Sequence, residues 1–439
     1  MTSQLNILEL FAGVGGFRIG FENSNPELFK TKWSNQWEPS TKAQDAFEVY
    51  NFHYPDSENI NEDIEEIPDE VFESMDADII VGGFPCQDYS VARSRSGELG
   101  IQGKKGVLFW QIIRATEIIR PQYLILENVD RLLKSPSNQR GRDFAVMLAA
   151  LNQLGYSVEW RVINAAEYGR AQRRRRVFFF IYRNDTPFAL KIDEQYESFT
   201  DDVLFSDTLY DNYMFKDGLF AQGFPIKEKK NKNRYESSSL SDDIVEVSNN
   251  FSGQFWNTGI MRNGRYFTLD SIPLGNERPI TLGEILQPEE EVPEEFYVTD
   301  EKRLEKFKYL RGSKKVERTA SNGHKYTYSE GGMSETDSLD LPARTMLTSE
   351  GSTNRSTHFI KVNGRYRLLT PIEAERLQDF PDDWTRYKLT EDGKKVEVTI
   401  SRRRFFMGNA LVTDIVKRIA DQLEIIVKES VSTKLSNKQ

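Results

Sequence analysis

The feature that most constrains this chain is residues 78–90, where three apolar residues run into Gly82, Gly83, Pro85 and Cys86. The apolar residues predict a short buried strand, and the glycines and the proline predict a turn at its carboxyl end. In open α/β sheets that edge is where ligands bind. Cys86 is the only cysteine among 439 residues, so it is either a packing residue or a nucleophile. The polar residues that follow it favour the nucleophile.

Composition limits the class of protein. The length and the mass of 50.8 kDa fit two domains, or one domain with a large insertion, and 38% hydrophobic with 29% charged residues fits a globular protein. No apolar run reaches the roughly 18 residues of a membrane span, and no signal peptide is evident. Three histidines and one cysteine argue against a zinc site. We therefore expect a metal-free cytoplasmic protein that does not enter a membrane.

The net charge of −10 argues only weakly against nucleic acid, because basic residues are clustered along the chain. One cluster is residues 173–176, which are four consecutive arginines, and another is residues 402–404. The first fits a phosphate-binding patch. The second is interpreted as phosphate contacts or a solvated face, and the sequence does not separate these two readings.

Strands and helices alternate through the first 182 residues. A strand at 6–11, a glycine turn at 12–17 and a helix from Arg18 open a nucleotide-binding unit, although the glycine spacing is not that of the NAD fingerprint. Further elements are predicted as strands at 31–35, 123–127, 158–164 and 177–182 and helices at 108–119 and 144–154. This alternation predicts an α/β fold with a doubly wound, mostly parallel sheet.

The middle and the end of the chain have other patterns. From residue 184 to residue 361 periodicity weakens and aromatic residues become frequent, which predicts a second, irregular domain with some strands. Order returns at Thr370, where Pro371 and Glu373 complete a helix-capping box. Gly408 and Asn409 are predicted to begin a last helix, whose apolar stripe packs back on the first domain.

The motifs, taken together and in order, resemble the cytosine-C5 DNA methyltransferases. They are Phe-Ala-Gly-Val-Gly-Gly (11–16), Gly-Phe-Pro-Cys-Gln (83–87) with Ser90, Gly-Val-Leu-Phe (106–109), Glu-Asn-Val (127–129), Tyr-Gly (168–169), Gln-Arg-Arg-Arg-Arg (172–176), Arg-Leu-Leu-Thr-Pro-Ile-Glu-Ala-Glu-Arg-Leu-Gln (367–378) and Gly-Asn (408–409). The resemblance covers most of 5–182 and 362–427. It implies a Rossmann-like catalytic domain at 1–183, a target-recognition domain at 184–361, a return to the catalytic domain at 362–430 and a tail at 431–439.

The resemblance implies a covalent mechanism. C5 of cytosine is a poor nucleophile, and addition of the Cys86 thiolate to C6 makes the ring an enamine that attacks a methyl sulfonium. Glu127 is expected at N3 and the exocyclic amine, where it offsets the charge that develops on the ring. Arg176 is expected at the cytosine O2 and Arg174 near Cys86. The resemblance suggests water as the acceptor of the C5 proton.

The implied methyl donor is S-adenosylmethionine. Its predicted contacts are Phe11, Gly13, Val14 and Gly16 lining it, Trp37 on the adenine, Asp63 and Ile64 near the rim, and Pro85, Leu108 and Asn409 completing the pocket. The chain departs from the family at Gln36, where members usually carry glutamate. The ribose contact is therefore either Gln36 or Glu38.

The implied substrate is duplex DNA, whose target base must be flipped out of the stack. Gln87, Ser90 and Arg173 are the predicted DNA contacts. We expect a monomer in the nucleoid region, with a restriction endonuclease of the same system as a possible partner that forms no stable complex. A tRNA cytosine methyltransferase is the first alternative, and the roughly 190 residues between Arg176 and Arg367 favour DNA. A non-catalytic DNA-binding relative is the second, and the Pro-Cys and Glu-Asn-Val motifs count against it.

Overall fold

A computed structural model describes residues 4–85, 108–195, 212–227, 234–319 and 323–436, without the side chains of 430–436. The chain divides into two compact units. The first unit comprises Met1–Asn164, Arg175–Asn276 and Thr413–Gln439, and the second comprises Ala165–Arg174 and Glu277–Val412. No helix within these described ranges is both long enough and apolar enough to cross a bilayer.

Ten strands of the described chain form one sheet in the first unit. In sequence order they are β1 Leu5–Leu10, β2 Phe29–Asn35, β3 Glu58–Ile60, β4 Ile79–Gly83, β5 Tyr123–Val129, β6 Tyr156–Asn164, β7 Arg175–Arg183, β8 Tyr235–Ser239, β9 Thr258–Arg262 and β10 Arg265–Leu269. Their order across the sheet is β3-β2-β1-β4-β5-β7-β6-β9-β10-β8. Strands β1 to β5 pair in parallel, whereas β7 is antiparallel to β5 and to β6. The predicted α/β fold class is confirmed.

Helices cover this sheet. They are α1 Gly16–Ser24, α2 Asp45–His53, α3 Asp69–Glu73, α4 Leu108–Ile119, α5 Arg142–Gln153, α6 Pro187–Gln195, α7 Leu219–Gly223 and α8 Ile244–Asn250. The core lies between helices and sheet, and β4 is at its centre with Ile79 and Ile80 fully buried. A strand buried on both faces reads as an unbroken apolar run, which is why the sequence revealed β4 so clearly.

The second unit is built from short elements. They are α9 Glu301–Arg311, β11 Lys314–Thr319, β12 Lys325–Glu330, β13 Phe359–Val362, β14 Arg365–Leu368, α10 Pro371–Leu377, β15 Tyr387–Leu389, β16 Lys395–Glu397 and α11 Ile400–Asn409. The predicted capping box of α10 is present, with Thr370 and Glu373 bonded reciprocally. The strands pair as three separate antiparallel ribbons, β11–β12, β13–β14 and β15–β16.

The last helix, α12 Thr413–Ser436, returns to the first unit and packs on α1. A side chain at Gly20 would meet Val416 at 2.5 Å, so glycine permits the close approach of the two helices. Ile415, Val416 and Ile419 are buried, which confirms the predicted stripe. The predicted start of this helix is wrong, because Gly408 and Asn409 end α11 instead.

The two compact units differ from the predicted domain boundaries. The segment Arg175–Asn276 belongs to the first unit because β9 pairs with β6, for example Ile260 with Glu159, and β10 and β8 extend the sheet further. These five-residue strands mix polar and charged residues with apolar ones, so they lack the unbroken apolar run that marks β4 in the sequence. The prediction that 184–361 acts in target recognition is a functional one and stays a prediction.

The interpretation of residues 402–404 as phosphate contacts or a solvated face is wrong for two of the three arginines. Arg403 lies buried against Glu375 (2.9 Å) and Asp383 (3.0 Å). Arg404 is also buried, and its guanidinium donates to the carbonyl of Leu369. Consecutive residues of a helix point in different directions, so a run of like charges does not define one face.

Candidate active site

The carboxyl ends of β1, β4 and β5 meet at one edge of the sheet. The parallel register places Leu10 beside Gly82 and Gly83 beside Glu127. Phe11, Phe84 and Glu127 are therefore brought to the same edge, which is where an open α/β sheet binds its ligands. Pro85 is exposed there and is the last described residue before Cys86. Cys86, Gln87 and Ser90 lie outside the described residues.

Glu127 and Arg176 form an ion pair at this edge. The Arg176 Nε lies 2.8 Å from the Glu127 Oε1, and the two side chains are 17% and 13% exposed. Glu127 faces Phe178 across the β5–β7 ladder and Val129 faces Arg176, so the pair is diagonal and within reach. A Cβ at Gly83 would lie 3.1 Å from the Glu127 Oε2, so only glycine leaves the carboxylate undisturbed.

Asn128 is a buried residue beside Glu127 whose role was not predicted from the sequence. Its Nδ2 donates to the Phe84 carbonyl at 2.9 Å, and its Oδ1 accepts from the Val129 N–H at 2.8 Å. The first bond fixes the backbone two residues before Cys86. The signal was available in the Glu-Asn-Val motif, because a buried amide carries both a donor and an acceptor that need partners.

The glycine turn after β1 is held in an unusual backbone conformation. Phe11, Gly13 and Gly15 have φ of 54°, 56° and 92°, a region that residues with side chains rarely adopt. The Gly13 N–H donates to the Gln36 Oε1 at 2.8 Å. A Cβ added at Gly13 would have no atom within 4 Å, so the backbone here borders open space. Val14 and Gly16 are buried behind it.

The predicted cofactor residues near β2 and β3 are arranged around the same turn. Gln36 is fixed by its N–H to Ile60 (3.1 Å) and by Asn61 on its carbonyl (2.7 Å). Trp37 is 39% exposed, which is unusual for so large a ring. Glu38 instead accepts from the Ala46 N–H at 3.2 Å, in the first turn of α2.

The remaining predicted cofactor residues differ in exposure. Asp63 accepts from the Glu65 N–H at 3.1 Å, Ile64 is buried and Leu108 is half-buried. The open backbone at Gly13 and the exposed ring of Trp37 suit a nucleoside cofactor, because one lets a ligand approach the main chain and the other offers a stacking surface. No group of three His, Cys, Asp or Glu within the described ranges is placed to hold a metal ion.

A buried carboxylate that was not predicted from the sequence, Glu9, supports the glycine turn. The Glu9 Oε2 accepts from the Tyr50 hydroxyl at 2.9 Å and its Oε1 from the Arg18 N–H at 3.4 Å. Gly15 stands at the N-cap of α1 and has no side chain, so Glu9 supplies the acceptor that a capping residue normally provides. Burial raises the pKa of Glu9 from 4.5 to about 7, although Tyr50 and Arg18 oppose the shift.

Arg173 and Arg174 belong to the second unit and differ in burial. Arg173 is exposed, and its backbone is held by Ala343 and Thr345. Arg174 is 2% exposed, and its guanidinium donates to the carbonyls of Met346 and Gly408, each at 3.0 Å. Arg174 therefore ties segments of the second unit together, whereas Arg173 presents its charge to solvent.

Asn409 is exposed at the end of α11 in the second unit. Of the predicted catalytic residues, the structure brings Glu127 and Arg176 together in the first unit. The roles predicted for Asn409 and Arg174 stay predictions from the resemblance.

A sheet whose carboxyl edge carries a glycine turn and a glutamate paired with an arginine is the arrangement of a ligand-binding α/β protein. The C-5 cytosine-specific DNA methylase family matches residues 5–424, so the chain belongs to that family. It is an S-adenosylmethionine-dependent enzyme that methylates cytosine in DNA at C5.

Individual relatives agree with this assignment. The chain is 55% identical over 424 residues to the type II methyltransferase M.Sau3AI of Staphylococcus aureus, covering 97% of this chain and 96% of that protein. It is 32% identical over 181 residues to M.HhaI of Haemophilus parahaemolyticus, covering 41% of this chain and 50% of that protein. The fold is similar to S. pombe Dnmt2 methyltransferase, with a TM-score of 0.56 at 14% identity, over 96% of this chain and 99% of that one.

Proposed function

We propose that this protein is the site-specific modification methyltransferase of a bacterial restriction–modification system, that Cys86 is its nucleophile, and that Glu127 and Arg176 are the groups that hold the flipped cytosine. The observation that carries the proposal is the Glu127–Arg176 pair at 2.8 Å, on the sheet edge where β4 leads toward Cys86. The identity of 55% to a type II methyltransferase over nearly the whole chain supports the restriction–modification context.

The proposed reaction begins with the Cys86 thiolate, which forms a bond to C6 of the cytosine. The electron pair displaced from the C5–C6 double bond makes C5 nucleophilic, and a proton or a strong hydrogen bond at N3 lowers the cost of that displacement. Glu127 would supply this contact and Arg176 would hold O2. S-adenosylmethionine, when bound, supplies an electrophilic methyl group on a sulfonium. Loss of the C5 proton to water then expels the Cys86 thiolate and restores the aromatic ring.

The paired state of Glu127 and Arg176 supports this division of labour. Each side chain is mostly buried and holds the other in place, so both are already oriented before a base arrives. Catalytic groups that are fixed beforehand need no reorganisation in the transition state. Asn128 adds to this by fixing the Phe84 carbonyl, so we assign it a positioning role for the chain just before Cys86.

For the cofactor, we infer that Gln36 rather than Glu38 contacts the ribose. The Glu38 carboxylate already accepts from the first turn of α2. Gln36 sits between two backbone hydrogen bonds and uses its Oε1 on the Gly13 N–H, which leaves an amide donor suited to a hydroxyl. The remaining proposed cofactor contacts are those that the resemblance implies, namely Phe11, Val14, Gly16, Trp37, Asp63, Ile64, Pro85, Leu108 and Asn409.

For Arg174, the buried hydrogen bonds to Met346 and Gly408 support a positioning role within the second unit. Its neighbour Arg173 is exposed and suits the predicted contact with a DNA phosphate. Gln87 and Ser90 keep their predicted DNA contacts. We further propose that the protein acts as a monomer in the cytoplasm near the nucleoid, and that any restriction endonuclease partner forms no stable complex with it.

The decisive experiment is covalent trapping. Duplex DNA with 5-fluorocytosine at the methylated position should become linked to Cys86 in the presence of the donor, because fluorine cannot leave as a proton does. Cys86→Ser should abolish both trapping and methyl transfer while retaining cofactor binding. Methyl transfer by Cys86→Ser at the wild-type rate would refute the mechanism.

The tRNA alternative is tested on the same footing, by comparing radiolabelled methyl transfer to duplex DNA and to tRNA. Bisulfite sequencing of DNA from cells that express the protein then gives the recognition sequence. Methylation confined to tRNA would reject the proposed substrate while leaving the cysteine chemistry in place.

A further inference from the structure

The two-stranded ribbon β11–β12 stands apart from the buried core of the second unit. Its strands pair from Lys314↔Glu330 to Thr319↔Lys325. Side chains 315–319 and 323–327 are all exposed. An isolated two-stranded ribbon is only marginally stable in water. Because most of its side chains are exposed, packing within the unit does not explain why these residues are there. This suggests that the ribbon meets something outside the chain.

The base of the ribbon is anchored. Arg311, at the end of α9, is buried and donates to Asp337 at 2.6 Å and to the carbonyl of Thr357 at 2.8 Å. The Glu330 carboxylate pairs with Arg355 at 2.7 Å. The Arg311 carbonyl in turn accepts from the Met333 N–H at 2.9 Å. Both strands are therefore fixed to the unit at the base of the ribbon, while the side chains beyond the base are solvated.

One face of the ribbon carries aromatic rings and an arginine. The register places Arg318 opposite Tyr326 and Val316 opposite Tyr328. The guanidinium carbon of Arg318 lies 4.1 Å from the centre of the Tyr328 ring. Val316 and Tyr326 are 41% and 43% exposed. A guanidinium held on a ring loses less freedom on binding than a lysine does, so this face suits recognition of flat, polar groups.

The other face carries Lys315, Lys325 and the hydroxyls of Thr319, Thr327 and Ser329, with the Glu317 carboxylate opposite Thr327. From 315 to 329 the chain has three Lys or Arg residues and one acidic residue, within a protein whose net charge is −10. Cations and hydroxyls are the side chains that contact phosphate oxygens. The outer ribbon is thus locally positive on a negative protein, which complements a polyanion.

We propose that the β11–β12 ribbon contacts duplex DNA by entering a groove, with Lys315 and Lys325 on phosphates and Arg318 and Tyr326 toward base edges. The inference rests on the proposed function and narrows recognition to strands Lys314–Thr319 and Lys325–Glu330. The major groove is about 12 Å wide and admits a two-stranded ribbon. A protein partner fits less well, because Val316 and Tyr326 are the only large apolar side chains that the described ribbon exposes.

The test uses the full chain with Lys315→Ala and Lys325→Ala combined. Dissociation constants are measured across a salt series with a duplex that contains the bisulfite-mapped site. Each lost phosphate contact lowers the slope of log affinity against log salt by about 0.9, so the double variant should lower it by about 2. The matched control is Lys395→Ala, an exposed lysine on the β15–β16 ribbon, whose Nζ lies 3.9 Å from the Tyr387 ring centre. The control slope should stay at the wild-type value.

The aromatic face is tested separately with Arg318→Ala and Tyr326→Ala. Discrimination between the mapped duplex and one with a changed site should fall about tenfold or more, since a base-edge contact carries sequence information. S-adenosylmethionine binding and the melting temperature should stay unchanged in every variant, because the exchanged side chains are solvated.

Wild-type slope and discrimination in both ribbon variants would overturn the proposal, and so would an equal loss in Lys395→Ala. A wild-type enzyme that methylates no duplex at all would count against the proposed function instead.

Discussion

The sheet edge of the first unit and the β11–β12 ribbon of the second unit use charged side chains in opposite ways. At the sheet edge Glu127 is mostly buried and paired with Arg176, and Glu9 is fully buried on Tyr50. On the ribbon Lys315 and Lys325 are exposed. Charges that do chemistry must be oriented before the substrate arrives, whereas lysines that contact phosphates act through counterion release and can stay solvated until DNA binds.

The substitution expected to have the largest effect is Glu127→Gln, which tests whether the sheet edge depends on an oriented carboxylate. The variant keeps the shape of the side chain but removes the carboxylate, and we expect the rate of methyl transfer to fall by about 10²–10⁴-fold, the range typical of a lost acid or hydrogen-bonding group. Single-turnover methyl transfer on duplex DNA measures this. Glu117→Gln, an exposed glutamate on α4, is the matched control and should retain the wild-type rate. Equal rates for wild type and Glu127→Gln would remove Glu127 from the catalytic machinery.

The same contrast between a buried and an exposed charge exists between Arg174 and Arg173, which are neighbours in the run of four arginines. Arg174→Met removes the donors to two buried carbonyls, and at about 1–3 kcal/mol for each unpaired group the free energy of unfolding should fall by about 4 kcal/mol. Arg173→Met changes an exposed side chain and should alter stability by less than about 0.5 kcal/mol while weakening DNA binding. Urea unfolding and salt-dependent DNA binding distinguish the two. Equal losses of stability would show that burial does not separate their roles.

The sequence predicted some elements well because the residues that define them are adjacent in the chain. Strand β4, helix α4 and the α10 capping box follow from apolar runs and capping residues that act over a few positions. The ends of α11 and the burial of Arg403 and Arg404 could not be predicted in this way. They depend on partners such as Glu375 and Leu369 that lie about 30 residues away, and a run of arginines looks alike whether buried or solvated.

The same limit applies to the candidate site. Residue type alone makes Cys86, Glu127 and the glycine turn recognisable in the sequence. Glu9 is an acidic residue within an apolar strand, and its role is visible only once the fold places Tyr50 and Arg18 beside it. The extension of the sheet by β8 to β10 was hidden for the corresponding reason, because pairing between distant short strands leaves no local pattern.

Glu9 makes a prediction about pH. Its folded pKa of about 7 is above its ordinary 4.5, so the folded protein holds a proton that the unfolded chain loses, and stability falls as pH rises from about 4.5 to about 7. One group with this shift contributes about 3 kcal/mol across the window. Glu9→Gln should remove that part of the pH dependence, as measured by urea unfolding at pH 5 and pH 8.

Glu159 is a matched control for Glu9. Burial also raises its pKa to about 7, but it accepts from Leu219 and Tyr213 rather than supporting the glycine turn. Both variants should therefore flatten the stability profile, and only Glu9→Gln should also weaken S-adenosylmethionine binding. Equal weakening by Glu159→Gln would show that Glu9 has no special role beneath the turn.

The smallest expected effect comes from Gly83→Ala, which tests how precisely the Glu127 carboxylate must be positioned. In Gly83→Ala the added Cβ would lie 3.1 Å from the Glu127 Oε2, so the carboxylate must move by a few tenths of an ångström. Small displacements of a catalytic group lower rates, and we expect about a tenfold loss, or about 1.4 kcal/mol, with cofactor binding unchanged. Gly331→Ala has no atom within 4 Å of the new Cβ and should retain the wild-type rate. A wild-type rate in Gly83→Ala would show that the Glu127 carboxylate can move without loss of activity. The contrast between oriented charges at the sheet edge and solvated charges on the ribbon would then be wrong.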